Sequence, residues 1–242
     1  MTRTLYYTVS TPDASALACT KLMHKSLVQK LGNIDFKIVI PQGSECLYPL
    51  DVQHLLLPAA KVNPKWPVVL DLKYTQTIFD LDYDHFVFLD SDILWFANDF
   101  NPHLNQYCED VVPVTSYWCS TGWPFVPTEE HKGANAGFFS ADKQTCLAMA
   151  KHIHANISIV DEWSPPLEQS MFNLFLHESK YKGWHRLTDK FVLFAKECDK
   201  VEDGKIYHFM NFAGHMNDKI KKMECFIATN AAEELIKTFF NK

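Results

Sequence analysis

Several features that would place a protein quickly in a class are missing from this 242-residue chain. Its apolar runs are far too short to span a bilayer. Its N-terminus does not join a basic stretch to a long apolar run, so the pattern shows no secretion signal. We therefore expect a cytoplasmic protein without a transmembrane segment. The formal net charge is −6, so a general electrostatic partnership with nucleic acid is not expected.

The cysteines give no support to a fold stabilised by disulfides or zinc. The seven cysteines are widely scattered, their number is odd, and no CxxC pair occurs. Zinc ribbons and disulfide frameworks need paired cysteines at regular spacings. Reduced thiols, as in cytoplasmic proteins, are the simplest interpretation.

The chain does contain ample material for a packed core, since 47% of its residues are hydrophobic and 14% are aromatic. Strand patterns over Leu5–Val9 and Phe36–Ile40 flank a helical stretch at residues 14–31, which predicts a parallel pair with a right-handed crossover. Because strands and helices continue to alternate, we expect a single α/β domain over residues 1–242. Further strands are predicted at 54–57, 86–89, 111–114 and 137–140, and helices at 68–79, 145–155, 167–177 and 231–240.

The segment Phe86–Asp92 carries the most information. Four consecutive apolar residues predict a strand buried on both faces, and Asp90 and Asp92 follow at once. Ligands collect outside the carboxyl ends of strands in open α/β sheets. We therefore expect the two carboxylates to hold Mg²⁺ or Mn²⁺, which in turn binds phosphate oxygens. A solvated turn with capping aspartates is the alternative.

Two motifs farther along the chain could contact a sugar. Asn135 offers a donor and an acceptor that suit a hydroxyl group, and the small residues around it allow close approach. Glu168 and Gln169 open a predicted helix, where a carboxylate could hold an acceptor or steady positive charge at a sugar carbon. Each motif alone also fits a structural role, as a turn before a strand or as first-turn partners of the helix dipole.

A late motif adds an imidazole and a lysine. His208 would be a good third ligand beside two carboxylates, and it would tilt the metal site toward Mn²⁺. Gly214 and Lys219 could meet a diphosphate through a backbone N–H and an ammonium group. In the alternative interpretation His208 is structural, and the lysines at 219, 221 and 222 form a solvated helix face.

Taken in this order, the motifs resemble nucleotide-sugar glycosyltransferases of the GT-A fold. The pattern is most similar to glycosyltransferase family 8, the glycogenin and galactosyltransferase-like family, and it spans nearly the whole chain. Two departures stand out: Glu168 replaces the usual Asp, and the family's Lys-Pro-Trp is missing, so Gly214 and Lys219 are spaced differently. The resemblance rests on Leu5–Ser10, Lys73, Phe88–Asp92, Asn135–Phe139, Glu168–Asn173 and His208–Phe209.

The resemblance implies a Rossmann-like, mixed but mainly parallel sheet flanked by helices. It implies a nucleotide and metal half at about 1–115 and an acceptor half at about 116–242. The implied metal ligands are Asp90, Asp92 and His208. The implied donor contacts are Thr8, Val9, Ser10, Lys73, Ser91, Gly214 and Lys219, and the implied catalytic residues are Asn135, Glu168 and Gln169.

The implied activity is metal-dependent transfer of a sugar from a nucleoside diphosphate, by default UDP, to a hydroxyl of a glycan or glycoconjugate, with retention. An inverting GT-A enzyme, with Glu168 as its base, is one alternative. A sugar nucleotidyltransferase is another, although Ser10–Asp13 has no glycine or basic residue to hold a triphosphate. A catalytically silent sugar-binding module is the third, but it would not need both acids and His208.

Overall fold

A computed structural model describes residues 2–48, 52–57, 72–109, 133–156, 167–187, 190–192, 195, 198, 200–209 and 216–240 of the protein. Seven strands form the central sheet in the order β3-β2-β1-β4-β7-β6-β8, and three short strands form a second sheet in the order β5-β10-β9. The strands are β1 Thr4–Val9, β2 Asp35–Pro41, β3 His54–Leu57, β4 His85–Leu89, β5 Ile93–Trp95, β6 Asn105–Glu109, β7 Ala134–Asp142, β8 Trp184–Arg186, β9 Phe191–Val192 and β10 Ile206–His208.

Five α-helices accompany the sheets in the described part of the chain. The first begins at Asp13, whose carboxylate accepts a hydrogen bond from the Ala16 amide at 2.9 Å, as an N-cap does. A short 3₁₀ helix occupies Glu45–Leu47. The α-helices are α1 Ala14–Leu31, α2 Gln76–Phe79, α3 Lys143–Asn156, α4 Leu167–Glu178 and α5 Met216–Phe240.

The central sheet is mixed, with a parallel half and an antiparallel strand beside it. Strands β3, β2, β1 and β4 run parallel, which confirms the predicted β-α-β opening. Strand β7 is antiparallel to both β4 and β6, and β8 is parallel to β6. The fold class predicted from the sequence, an α/β sheet flanked by helices, is therefore confirmed.

Strand β4 is buried on both faces, as its apolar run predicts. Phe86 and Phe88 pack in the core layer that contains α3 and α4, whereas Val87 and Leu89 pack in the layer that contains α1. All five residues of β4 are buried. Because β4 is held on both faces, it fixes the position of the backbone that follows it, which carries Asp90 and Asp92.

The structure corrects several predicted boundaries. The helix predicted at 68–79 is interrupted, because Thr75 is extended and its hydroxyl accepts from the Thr77 amide at 3.3 Å to start α2. The C-terminal helix begins at Met216, not near 231, since its buried face starts much earlier. The predicted strand at 111–114, the loop at 118–132 and the boundary near 115 lie outside the described residues.

The sequence patterns missed five short strands, β5, β6, β8, β9 and β10. Their two to five residues are too few for a clear alternation of apolar and polar side chains. Within the described ranges, no helix has both the length and the apolar character needed to cross a membrane.

Candidate metal centre

Three predicted ligands, Asp90, Asp92 and His208, meet at the carboxyl end of β4. Their ligand atoms all lie within 4.8 Å of one another. The His208 Nε2 atom is 3.1 Å from Asp92 Oδ1 and 3.6 Å from Asp90 Oδ2. The structure therefore brings these three residues together, and their role as metal ligands stays a prediction.

The small second sheet brings His208 to the two acids, although it lies more than a hundred residues away in sequence. Strand β10 pairs with β5 directly after the acid pair, so that His208 stands opposite Ile93. The Phe209 amide also donates to the Asp92 carbonyl oxygen at 3.0 Å. Backbone contacts at Asp92 and Ile93 thus fix the imidazole against the carboxylates.

The side chains of this site differ in exposure. That of His208 is 4% exposed, that of Asp92 is 17% exposed, and that of Asp90 is 41% exposed. Burial opposes ionisation of Asp92, but His208 and Lys219 outweigh it and hold the pKa of Asp92 below its usual value. Burial likewise opposes protonation of His208, but the two carboxylates outweigh it and raise the pKa of the imidazole.

Gly137 lies against the metal centre, where no larger residue would fit. A Cβ atom at this position would collide with the His208 ring and would lie 2.8 Å from both Asp90 Oδ2 and Asn135 Oδ1. The Gly137 carbonyl oxygen accepts from the Asp90 amide at 2.8 Å. The missing side chain therefore lets the β7 backbone approach the ligands closely.

A bulge in β7 produces this approach. Strand β6 pairs Tyr107 with Phe139 and then Cys108 with Asn135, so the pairing skips residues 136–138 of β7. A bulge redirects the backbone away from the regular ladder. Here the skipped segment faces Asp90 and His208 and includes Gly137.

The predicted catalytic residue Asn135 and the helix α4 hold the start of β7. Asn135 is 1% exposed, and its Oδ1 accepts from the Gly137 amide at 2.9 Å. Gln169 Oε1 accepts from the Ala136 amide at 3.4 Å. Glu168 lies in α4, but its side chain is outside the described part of the structure. Asn135 and Gln169 thus reach the segment beside the metal ligands.

Asn173 makes the tightest connection between α4 and β7. Its fully buried amide group accepts from the Ala134 amide at 2.6 Å and donates to the Ala134 carbonyl oxygen at 2.9 Å. It also donates to the Gln169 carbonyl oxygen at 2.7 Å. This anchoring role was not predicted from the sequence, because an asparagine inside a helix gives no sign of the backbone it will meet.

Lys73, predicted to reach the donor, is completely buried. Its ammonium group donates to the Ala136 carbonyl oxygen and lies 3.9 Å from the centre of the Phe88 ring. The Tyr7 hydroxyl donates to the Lys73 carbonyl oxygen at 2.9 Å. The ammonium group therefore stabilises the bulged segment of β7. A contact between Lys73 and a donor stays a prediction.

The remaining predicted donor contacts fall at the ends of β1 and β4. Thr8, Val9 and Ser10 are all buried, and the Ser10 carbonyl oxygen accepts from the Tyr48 hydroxyl at 2.9 Å. The Thr8 hydroxyl is enclosed without a hydrogen-bond partner among the described residues. Ser91 lies in the turn between the two acids. Gly214 lies outside the described residues.

Lys219 contacts the candidate metal centre through a partner that the sequence analysis did not predict. Its Nζ atom lies 2.7 Å from Asp92 Oδ2, and its side chain is 11% exposed. We predicted that it would contact a diphosphate, and that contact stays a prediction. The observed partner is a carboxylate of the metal centre itself.

The donor set fits a hard divalent cation. Two carboxylates and one imidazole suit Mn²⁺ and, less specifically, Mg²⁺. The Nε2 atom of His208 faces both carboxylates, while Nδ1 is enclosed without a hydrogen-bond partner among the described residues. The shape also fits, since the absence of a side chain at Gly137 keeps the ligand atoms accessible to one another.

Comparison with known proteins identifies the fold. No protein-family model matches the chain, and no curated protein sequence matches it. Among solved structures, the galactosyltransferase LgtC in complex with donor and acceptor sugar analogues matches with a TM-score of 0.61 at 11% identity. An active-site mutant of LgtC matches with a TM-score of 0.59 at 12% identity.

Both matches cover 91% of this chain and 95% of the LgtC chain. The likeness therefore extends over most of the chain and is not confined to one half of it. The chain has the GT-A glycosyltransferase fold.

Proposed function

We propose that this protein is a metal-dependent glycosyltransferase that moves a sugar from a nucleoside diphosphate to an acceptor hydroxyl. The observation that carries the proposal is the meeting of Asp90, Asp92 and His208 within 4.8 Å, at the carboxyl end of a buried strand. That position is where ligands bind in open α/β sheets. The GT-A fold supports the same assignment, since LgtC, which shares it, is a galactosyltransferase.

In this proposal the site's task is to stabilise the leaving diphosphate. Asp90, Asp92 and His208 would hold a divalent cation that neutralises the negative charge developing on the phosphate oxygens. Asp90, with its side chain 41% exposed, presents its carboxylate to solvent and so to an incoming donor. Asn135 and Gln169 would position the β7 segment, and the sugar would lie against this segment.

The finer assignments rest on the family resemblance. It supports UDP as the nucleotide, Mn²⁺ as the metal, a glycan or glycoconjugate as the acceptor and retention at the anomeric carbon. The imidazole ligand adds support for Mn²⁺ over Mg²⁺. Thr8, Val9 and Ser10, at the end of β1, are proposed contacts of the base and ribose.

The first experiment asks whether the protein releases a nucleoside diphosphate. The protein is incubated with Mn²⁺ and a panel of nucleotide sugars, with and without simple sugar acceptors. Asp92→Asn should lower release by roughly 100-fold or more, because a metal at the leaving group supplies several kcal/mol of charge stabilisation.

Asp82→Asn is the matched control, since it removes an equal charge. Asp82 pairs with Arg3 on the surface near the amino end of β4, and its side chain is fully exposed. Its release rate should equal that of the wild type. Release from no donor, or equal release by the wild type and Asp92→Asn, would contradict the proposed function.

Stereochemistry is tested separately by proton NMR of the first product formed. An anomeric configuration equal to that of the donor supports retention. The opposite configuration would leave the glycosyltransferase assignment in place but would remove family 8 as the guide to mechanism, and it would favour a carboxylate base such as Glu168.

A further inference from the structure

Lys219 occupies an unusual place for a lysine, on the buried face of α5. The buried residues of this helix recur at 219, 223, 226, 227 and 230, which is the spacing of one helix face. Met223, Phe226 and Ile227 pack there with Leu94 and Phe209 in one apolar cluster. Lys219 continues the same face toward the metal centre, whereas Lys221 is exposed.

Its location in the helix makes this burial costly unless the ammonium group has a partner. Lys219 is the fourth residue of α5, near the positive end of the helix dipole, which disfavours a cation. An unpaired buried ammonium is also strongly disfavoured. The contact with Asp92 Oδ2 at 2.7 Å satisfies both needs, so it is a specific part of the site.

The Lys219 ammonium group and the His208 imidazole contact different oxygens of Asp92. Oδ2 accepts from the Lys219 ammonium, and Oδ1 faces His208 Nε2 at 3.1 Å. Only Oδ1 is therefore directed to the place where His208 and Asp90 converge. With Lys219 counted, the charge of the two carboxylates falls from −2 to −1 before any metal is bound.

We propose that Lys219 is a resident cation of the metal centre, which positions Asp92 and weakens the binding of a free divalent cation. Because a permanent positive charge beside the ligands repels a second one, the free site binds Mn²⁺ weakly. An anionic diphosphate returns the missing negative charge, so metal and donor bind together. This last step rests on the proposed function; the effect of Lys219 on Mn²⁺ alone does not.

Mn²⁺ binding without any nucleotide tests the proposal directly. The free Mn²⁺ signal in electron paramagnetic resonance is titrated with the wild type, with Lys219→Met and with Lys221→Met. We expect Lys219→Met to bind Mn²⁺ about tenfold more tightly, because it loses the repulsion and leaves a buried carboxylate in need of a cation. Lys221→Met, an equal change on the exposed face, should bind like the wild type.

Thermal unfolding gives a second readout that does not depend on turnover. Without metal, Lys219→Met should melt below the wild type, since Asp92 has lost its partner. Saturating Mn²⁺ should raise the melting temperature of Lys219→Met by more than it raises that of the wild type, because tighter binding to the folded state gives greater stabilisation.

The double variant Asp92→Asn, Lys219→Met tests whether the effect passes through Asp92. In the Asp92→Asn background, Lys219→Met should increase Mn²⁺ affinity by less than it does in the wild type, because the relief of repulsion remains but no unpaired Asp92 carboxylate is created. Weaker or equal Mn²⁺ binding by Lys219→Met compared with the wild type would overturn the proposal, as would a gain of the same size in the Asp92→Asn background. Each of these results can occur whether or not the protein transfers a sugar, so the two proposals fail separately.

Discussion

The two ends of strand β4 carry charged groups of the same kinds but arrange them in opposite ways. At the amino end, Arg3 pairs with Asp82 at 2.8 Å on the surface, and its backbone amide donates to the Asp84 carboxylate. At the carboxyl end, Asp92, His208 and Lys219 are largely enclosed and contact one another. The charges at the amino end are exposed to solvent, whereas those at the carboxyl end are largely buried and cluster together.

The two groups of charges differ in what they contribute to the free energy of folding. Exposed ion pairs contribute little, about 0–1 kcal/mol, because water screens them. Enclosed charges cost free energy unless each has a partner, so a cluster of them is a candidate functional site. Gly137 of the bulge in β7 lies directly against this enclosed group, and its missing side chain leaves room there, which supports a binding site at this end of the strand.

The largest effect is expected from a substitution that adds a side chain next to the metal centre, at the carboxyl end of β4. Gly137→Ala should lower Mn²⁺ affinity by at least about 100-fold, since its methyl group would collide with His208 and crowd Asp90. It should also cost about 2 kcal/mol of stability through overpacking. Mn²⁺ titration and denaturant unfolding measure the two effects.

Gly43→Ala is the control for this change. A Cβ atom at Gly43 meets no atom within 4 Å, but φ there is +87°, so the substitution costs conformational strain alone. Its Mn²⁺ affinity should be that of the wild type. An unchanged affinity in Gly137→Ala would mean that the bulge does not shape the metal centre.

Two buried histidines, one at each end of the strand, provide a second test. His208→Gln should weaken Mn²⁺ binding by about 10–100-fold, because it removes one of three ligands. His85→Gln, at the amino end, should leave the affinity unchanged, although His85 is as buried as a ligand would be, at 7% exposure. Equal losses in both variants would show that stability, not ligation, controls the affinity.

The sequence predicted most of the parallel half of the fold, and the reason is physical. Strands β1 to β4 are apolar on both faces or clearly flanked by turns, and α1 keeps its periodic face over eighteen residues. Strand β5 could not be predicted, because its three residues show no period. Thr75 shows the same limit, since a single extended residue divides a stretch with an otherwise helical pattern.

The grouping of Asp90, Asp92 and His208 could be predicted because acids after a buried strand and a late histidine are visible in the sequence. The contacts made by the residues around these three could not be predicted. The partner of Lys219 depends on how α5 packs, and the partner of Asn173 is Ala134, which lies 39 residues earlier in another element. One signal was available for Lys219: its spacing of four residues from Met223 and eight from Ile227 places it on the apolar face of the helix.

Two asparagines extend the comparison to stability. Asn173 holds both backbone groups of Ala134 near the metal end and is fully buried, whereas Asn105 bonds to Asp142 at the amino end and is half-buried. Asn173→Ala should cost about 3 kcal/mol, since it leaves buried backbone groups without partners. Asn105→Ala should cost about 1 kcal/mol, because water can replace its bonds. Urea unfolding measures both, and equal costs would contradict the difference in burial.

Asp142 should give the smallest effect, and it depends on pH. Burial opposes its ionisation, but hydrogen bonds from the Thr145 amide at 2.9 Å and from Asn105 outweigh it and lower the pKa of Asp142. A pKa lowered by folding contributes stability that is complete above the unfolded value of about 3.9 and is lost as the pH falls through the folded value. Asp142→Ala should therefore cost about 1 kcal/mol at pH 7, as for the loss of a helix cap, and less at pH 3. Urea unfolding at the two pH values measures this difference.

Because Asp142 lies opposite His85, at the end of β4 remote from the metal ligands, Mn²⁺ affinity at pH 7 should not change. A loss of metal affinity in Asp142→Ala would show that the two ends of the strand are coupled.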